Sequence, residues 1–360
     1  MTYTQEQLAT MALYGVPGVG VRIFGGLCEL AGSAQAALDD AAGLAKQIKP
    51  KVPQAVLDEL AKPISTNKIP DIMANCGARA VFLGELGYPE RLAEIDDPPP
   101  LLYIKGNLPD MTTALAVVGS RAGTRAGIDA TKALSEAAAR AGAVIISGGA
   151  RGVDTAAHAG ALIAKGKTIA VLPCGPDASY PPENRDLFAE IAKTGAIVTE
   201  CAPGAPVLKG NFHLRNRIIS ALASAVMIVE AEEKSGAMIT ARYAAAHKRP
   251  LLAVPGAIMS PFAKGPISLL KKGATPIYDA ETLLKALDLG SPIQINGKTQ
   301  LSFPMDETEQ AILAQLRRGD QSPNEIVNEL GLPAQVVVAK LTRMALDGAV
   351  KVLAGNRYGV

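Results

Sequence analysis

No apolar run in this 360-residue chain approaches the ~20 residues that a membrane-spanning helix needs. The opening segment MTYTQEQLATMALYG also lacks the basic and apolar regions of an export signal, which predicts a cytoplasmic protein. Cysteine is scarce: Cys28, Cys76, Cys174 and Cys201 lie far apart and form no C-x-x-C pair. Reduced structural thiols are expected rather than a disulfide framework. The three histidines, His158, His213 and His247, show no metal-ligand spacing, so no metal site is expected. Neither a G-x-x-x-x-G-K-[ST] loop nor a complete G-x-G-x-x-G with its acidic partner occurs. That argues against NTPase and NAD-enzyme designs and gives no cofactor to expect.

What is present is ordinary folded-protein material: 48% hydrophobic and 19% charged residues, in a length suited to two or three domains. The formal net charge of +2 hides an uneven distribution. Residues 1–75 and 304–360 each carry six Lys/Arg against seven Asp/Glu, whereas residues 205–275 carry ten Lys/Arg against Glu230, Glu232 and Glu233. A local +7 is the electrostatic footprint of a polyanion site.

The first ~70 residues read as short helices around the Gly-rich stretch GVPGVGVRIFGGLCELAGS, similar to a helix-hairpin-helix or SAM-like unit. From Arg79 the pattern changes to short apolar strands alternating with helical stretches: ARAVFL, PLLYIKG, TALAVVGS, AVIISGG, TIAVLPCG, AIVTEC, AVMIVEA and PLLAVPG. Such alternation predicts an α/β fold of extended Rossmann-like type, a doubly wound, mostly parallel sheet with ligands at the carboxyl ends of its strands. The polar, turn-rich stretch 289–303 reads as a linker. Beyond it, helices over 306–317, 322–330 and 333–347 and two strands about a Gly355-Asn356 turn predict a winged helix, with Ser322, Pro323 and Glu325 forming a helix-start signature. The expected domains are thus 1–72, 73–288 and 304–360. The third helix of the winged helix offers only Lys340 and Arg343, a poor basic stripe for reading DNA sequence.

Two strand-to-turn segments carry the chemistry. LAVVGSRAGTRAG holds Gly119, Ser120, Arg121 and Arg125; VIISGGARGVDTAAH holds Ser147, Gly148, Gly149, Arg151 and Asp154. Amides at helix starts attract anions, and arginine adds a planar fork for phosphate. A third segment places Lys209, Phe212, Arg215, Asn216 and Arg217 ahead of a helix and the strand at 225–229; a ring among cations suits a stacked base beside its phosphates. Asp154 and His158, four apart on one helix, can pair locally. Glu200 and Glu230 end strands beside the site, where they either bond loop amides and orient Arg217 or simply cap the strands. Tyr180 either stacks on a base or covers the core.

GSR at 119–121, SGGARGVDTAAH at 147–158, LPCGPDASYPPEN at 172–184, FHLRNRIISAL at 212–222, VEA at 229–231, SGAMIT at 235–240 and PG at 255–256 closely resemble, in order, the DNA-processing protein A (DprA, also called Smf) family. His213 stands where that family usually has proline. The resemblance implies a non-enzymatic single-stranded DNA-binding protein that protects incoming strands in natural transformation and loads the RecA recombinase. It puts phosphates on the amides of Gly119 and Ser120, on Arg121 and on Lys209. Phe212 and Asn216 then face bases, Arg215 and Arg217 bind phosphate or brace the loop, and Ser147, Gly148, Gly149 and Arg151 form the neighbouring wall. It also implies a homodimer through the Rossmann-like domain, for which Ile258, Met259, Phe262, Ile267 and Leu270 offer apolar groups. The alternative is a Rossmann-like nucleotide hydrolase of the lysine-decarboxylase-like type, but the turn comparable to its catalytic motif, SGAMITAR, presents Arg242 where a carboxylate is needed.

Overall fold

The computed structural model describes residues 2–289, 306–346, 350–353 and 357–359. The chain divides into two compact units, Met1–Pro292 and Ile293–Val360. In the first, nine strands form one sheet: β1 (Arg79–Phe82), β2 (Leu101–Gly106), β3 (Ala114–Gly119), β4 (Val144–Ser147), β5 (Thr168–Val171), β6 (Ala196–Thr199), β7 (Ala225–Val229), β8 (Leu251–Ala253) and β9 (Thr275–Pro276). Their spatial order is β1-β2-β6-β5-β4-β3-β7-β8-β9. β1–β2 and β2–β6 pair antiparallel and every other neighbouring pair is parallel.

Strands β3 to β7 are short and fully or almost fully buried, as a sheet covered on both faces requires. One core cluster unites Ile104, Ala116, Ile146, Val171, Val198 and Ile228; a second, on the other face, unites Leu115, Val117, Ile145, Met227 and Val229. The alternation of Leu115/Val117 with Ala116 between the two clusters is the period-2 signature of a strand. From β3 the chain winds outward through β4 and β5 to β6, then returns to place β7 on the opposite side of β3. That reversal opens a crevice at the carboxyl ends of β3, β4 and β7, the topological switch point where open α/β sheets bind ligands.

The N-terminal helices belong to the same unit. Leu8 and Met11 from helix Gln5–Tyr14 share a core with Met73, Phe82, Leu101 and Tyr103. Tyr14 donates from its hydroxyl to Glu200 Oε2 at 2.8 Å, beyond the end of β6. In the second unit, helices Glu307–Leu316, Pro323–Leu330 and Ala334–Leu346 pack around Ile312, Ile326, Val337 and Leu341, with a hairpin of Lys351–Leu353 and Arg357–Gly359. This is the winged helix. Ser322 and Glu325 form the capping box with Pro323 in the first turn, as their spacing predicts. Residues 290–303 of the expected linker 289–303, the Gly355-Asn356 turn and the Arg343 side chain lie outside the described residues.

Candidate nucleic-acid interface

A pocket of about 800 Å3 fills the crevice at the switch point. The turn after β3 contributes Gly119, Ser120 and Arg121; the turn after β4 contributes Ala150, and helix Val153–Ile163, which follows it, contributes Asp154; helix Lys209–Leu222 contributes Lys209, Phe212, His213, Arg215 and Asn216. The turn after β7 and the start of helix Gly236–Ala246 close the remaining side with Glu232, Ser235 and Gly236.

Helix Lys209–Leu222 begins earlier than the sequence reading has it, so that 3.6-residue periodicity sorts its polar groups. Lys209, Phe212, His213 and Asn216 share one face and line the pocket. Arg217 points away: it is only 2% exposed, pairs with Glu200 and donates to the Asp97 carbonyl at 2.8 Å. Glu200, which also accepts from Tyr14, therefore orients Arg217. Arg215 reaches beneath the pocket and donates from Nη1 to the carbonyls of Gly148 and, at 2.6 Å, of Val171. It braces the second glycine turn, and burial lowers its pKa to about 10.

The pocket's aromatic and cationic groups are already assembled. The Arg121 guanidinium carbon lies 4.9 Å from the Phe212 ring centroid, and Tyr180 meets that ring edge-on at 5.5 Å between centroids. A cation–π contact is worth ~0.5–2 kcal/mol, depending on desolvation, and fixes the ring in place. Arg121 can thus serve phosphate while holding a stacking surface. Tyr180 buttresses Phe212 and also faces the pocket.

The two glycine turns differ in use. The Ser120 amide is committed, donating to the Glu230 carbonyl at 2.6 Å, and its hydroxyl oxygen accepts from the Ala122 amide at 3.1 Å. Ser120 is left with its hydroxyl proton for a ligand. Gly119 is required by close approach, since a Cβ there would lie 1.8 Å from the Val229 carbonyl oxygen. Ser147 is fully buried and donates to the Val117 carbonyl at 2.6 Å. Gly148 gives its carbonyl to Arg215. Gly149, at φ +64°, gives its carbonyl to Asn184 at 3.0 Å. Exposed Arg151 pairs outward with Glu183. These four build the wall behind the pocket without lining it.

The carboxylates are engaged. Glu230, held at φ +48°, curls back to accept from the Thr124 amide at 2.6 Å and from the Thr124 hydroxyl, capping the start of helix Arg125–Arg140. Asp154 is buried, which raises its pKa against the opposing pull of Arg215. The Asp154–His158 pair that the spacing allows is not made. His158 instead meets Thr168 Oγ1 through Nδ1 at 2.7 Å, and burial holds its pKa near 3. Phe262, read from the sequence as part of an apolar outer patch, is half-buried and lines the pocket.

A family model described as DNA recombination-mediator protein A matches residues 79–288, and a DprA winged helix domain matches 297–356. The chain belongs to the DNA recombination-mediator protein A family. A Synechocystis protein named Smf is 37% identical over 281 residues, covering 74% of this chain and 70% of the relative. The X-ray structure of DNA processing protein A from Streptococcus pneumoniae superposes with a TM-score of 0.64 at 30% identity, covering 80% of this chain and 99% of that one. A DNA processing protein A structure from Helicobacter pylori, titled for its single-stranded DNA binding mode, gives a TM-score of 0.54 at 34% identity over 58% of this chain and 95% of that one.

Within this DNA recombination-mediator fold, residues that sequence reasoning left out of the site are His213, Thr240, Glu232 and the start of helix Gly236–Ala246. Only the helical period of 209–219 could have found His213. Ser235, at the N-cap, has a buried hydroxyl without a hydrogen-bond partner among the described residues. The first amides of this 11-residue helix add partial positive charge to the pocket's rim.

Proposed function

We propose that the pocket at the β3–β4–β7 crevice binds single-stranded DNA, with phosphates on Arg121, Lys209 and the Ser120 hydroxyl and bases against Phe212 and Asn216. One observation carries this reading: Arg121, Phe212 and Lys209, far apart in sequence, converge on one pocket at the switch point, with the ring already held by the guanidinium. A concave pocket at strand ends admits a flexible backbone with splayed bases and excludes a duplex. The Helicobacter relative, titled for single-stranded DNA binding, supports the same assignment. Ser147, Gly148, Gly149, Arg151 and Arg215 act as the wall that shapes the site, and Arg217 as a brace between sheet and N-terminal helices.

Membership of a recombination-mediator family supports the finer reading, in which the protein protects incoming strands, loads RecA and works as a homodimer without catalysing turnover. The capping of helix Arg125–Arg140 by Glu230 supports the non-enzymatic reading, because that carboxylate is already spent on Thr124. In the winged helix, Lys340 is paired with Asp306 and Glu309, which favours an auxiliary or protein-docking role there. Fluorescence-anisotropy titration with single- and double-stranded oligonucleotides across a range of salt tests the central claim. Preference for the single strand with a steep fall of log K against log salt is expected; equal affinity for both forms would overturn it.

A further inference from the structure

The pocket contains a titratable group that the reading above does not use. Of the three histidines, two have their pKa lowered by burial. His158 is fully buried against Thr168 with its pKa held near 3. His247 is hydrogen-bonded to Ser220 Oγ at 2.9 Å, and burial lowers its pKa. His213 alone is exposed, and it flanks the Lys209/Asn216 stripe on the pocket-lining face of its helix, on the side away from Phe212.

We propose that His213 is a pH-tuned contact to the bound strand, so that the pocket holds single-stranded DNA more tightly at pH ~6 than at pH ~8; this rests on the pocket being the single-strand site. A phosphate brought beside an imidazole favours its charged form, so binding takes up a proton. Affinity then rises as pH falls through the interval between the free and bound titrations. The charged and titratable groups that share the pocket lining with His213 are Arg121 from the β3 turn, Lys209 and, bonded beneath the pocket, Arg215 from its own helix, Asp154 beyond β4, Tyr180 beyond β5, and Glu232 beyond β7. A bound phosphate adds negative charge to this lining, and that charge favours the imidazolium. The rival source is Asp154, whose neutralisation in acid would also favour a polyanion.

The test uses the full chain and an oligothymidylate without a terminal phosphate, because a phosphomonoester itself titrates near pH ~6. Affinity is read by anisotropy at pH ~6 and ~8, at fixed ionic strength, with a dye insensitive to pH. Wild type should bind about fivefold more tightly at the lower pH. His213→Gln should show a ratio below about twofold, and Asp154→Asn should keep the wild-type ratio. A wild type flat in pH, or a His213→Gln variant that keeps the fivefold ratio, would overturn the proposal. No binding at either pH would instead remove the single-strand reading itself, and this proposal with it.

Discussion

The Phe212 ring is half-buried and held by Arg121 and Tyr180 rather than by the main core, so its removal should cost binding and not folding. Phe212→Ala is expected to weaken single-strand binding by ~1–3 kcal/mol with its salt slope unchanged, because stacking releases no counterions. A matching fall in thermal midpoint, followed by circular dichroism, would make the ring a core residue instead. Arg121→Ala and Lys209→Ala should do the reverse, each lowering the slope of log K against log salt by about one unit or less. Arg217 separates cleanly from this set. Its loss strands the Glu200 carboxylate in a buried position, and breaking such a pair costs ~3–5 kcal/mol. Arg217→Ala should therefore show a large drop in thermal midpoint, and an unchanged midpoint with a reduced salt slope would put Arg217 on the DNA. Both arginines of RNR looked alike in sequence because charge says nothing of direction, and only the helical phase distinguishes them.

At the scale of elements, the strands are legible wherever a short apolar run meets a turn, which covers β1 to β8. β9 is not: Thr275–Pro276 is two exposed residues with no apolar pattern. The start of helix Lys209–Leu222 is equally hidden. Leu208 makes no side-chain cap and the first turn carries no acidic residue, so none of the usual start signals precedes it. A lysine in that turn opposes the helix dipole, as fits a helix end kept for an anion. The sequence presents the glycine turns as phosphate cradles, but their amides and carbonyls serve the sheet and Arg215 as much as a ligand. Gly119→Ala tests that packing role. The added methyl would meet the backbone carbonyl of Val229, which cannot swing aside, so β3 and β7 would have to part. Marked destabilisation in urea melts is the expected result, and native stability with reduced DNA affinity would show the glycine serving only the strand.

For the whole molecule, acid should act through a residue outside the pocket. His158 titrates near 3 when folded and near ~6.5 when unfolded, so the unfolded chain binds the extra proton first. Its contribution is fully present above pH ~6.5 and is lost as the pH falls toward the folded value, reaching about 2 kcal/mol of lost stability near pH 5. Urea melts across that range should show the loss, and an imidazole resonance of His158 titrating above pH ~5 would refute the assignment. Assembly was the least legible property. Apolar residues over 258–270 looked alike in sequence, yet Phe262 lines the pocket and Leu270 packs on the core. Ile267 is half-buried, and Ile258 and Met259 remain, 81% and 90% exposed, as the pair left to offer an apolar surface. If these two groups seat a second copy, each dimer carries two pockets, and strands long enough to span both gain affinity through effective concentration rather than new contacts. Sedimentation at micromolar concentration should then give about twice the 37.2 kDa chain mass, and Ile258→Glu with Met259→Glu should return it to the monomer and abolish the gain with oligonucleotide length. Phe262→Ala should leave the sedimentation unchanged and weaken DNA binding. A wild type that stays at 37.2 kDa, with affinity independent of strand length, would leave this face without a role in assembly.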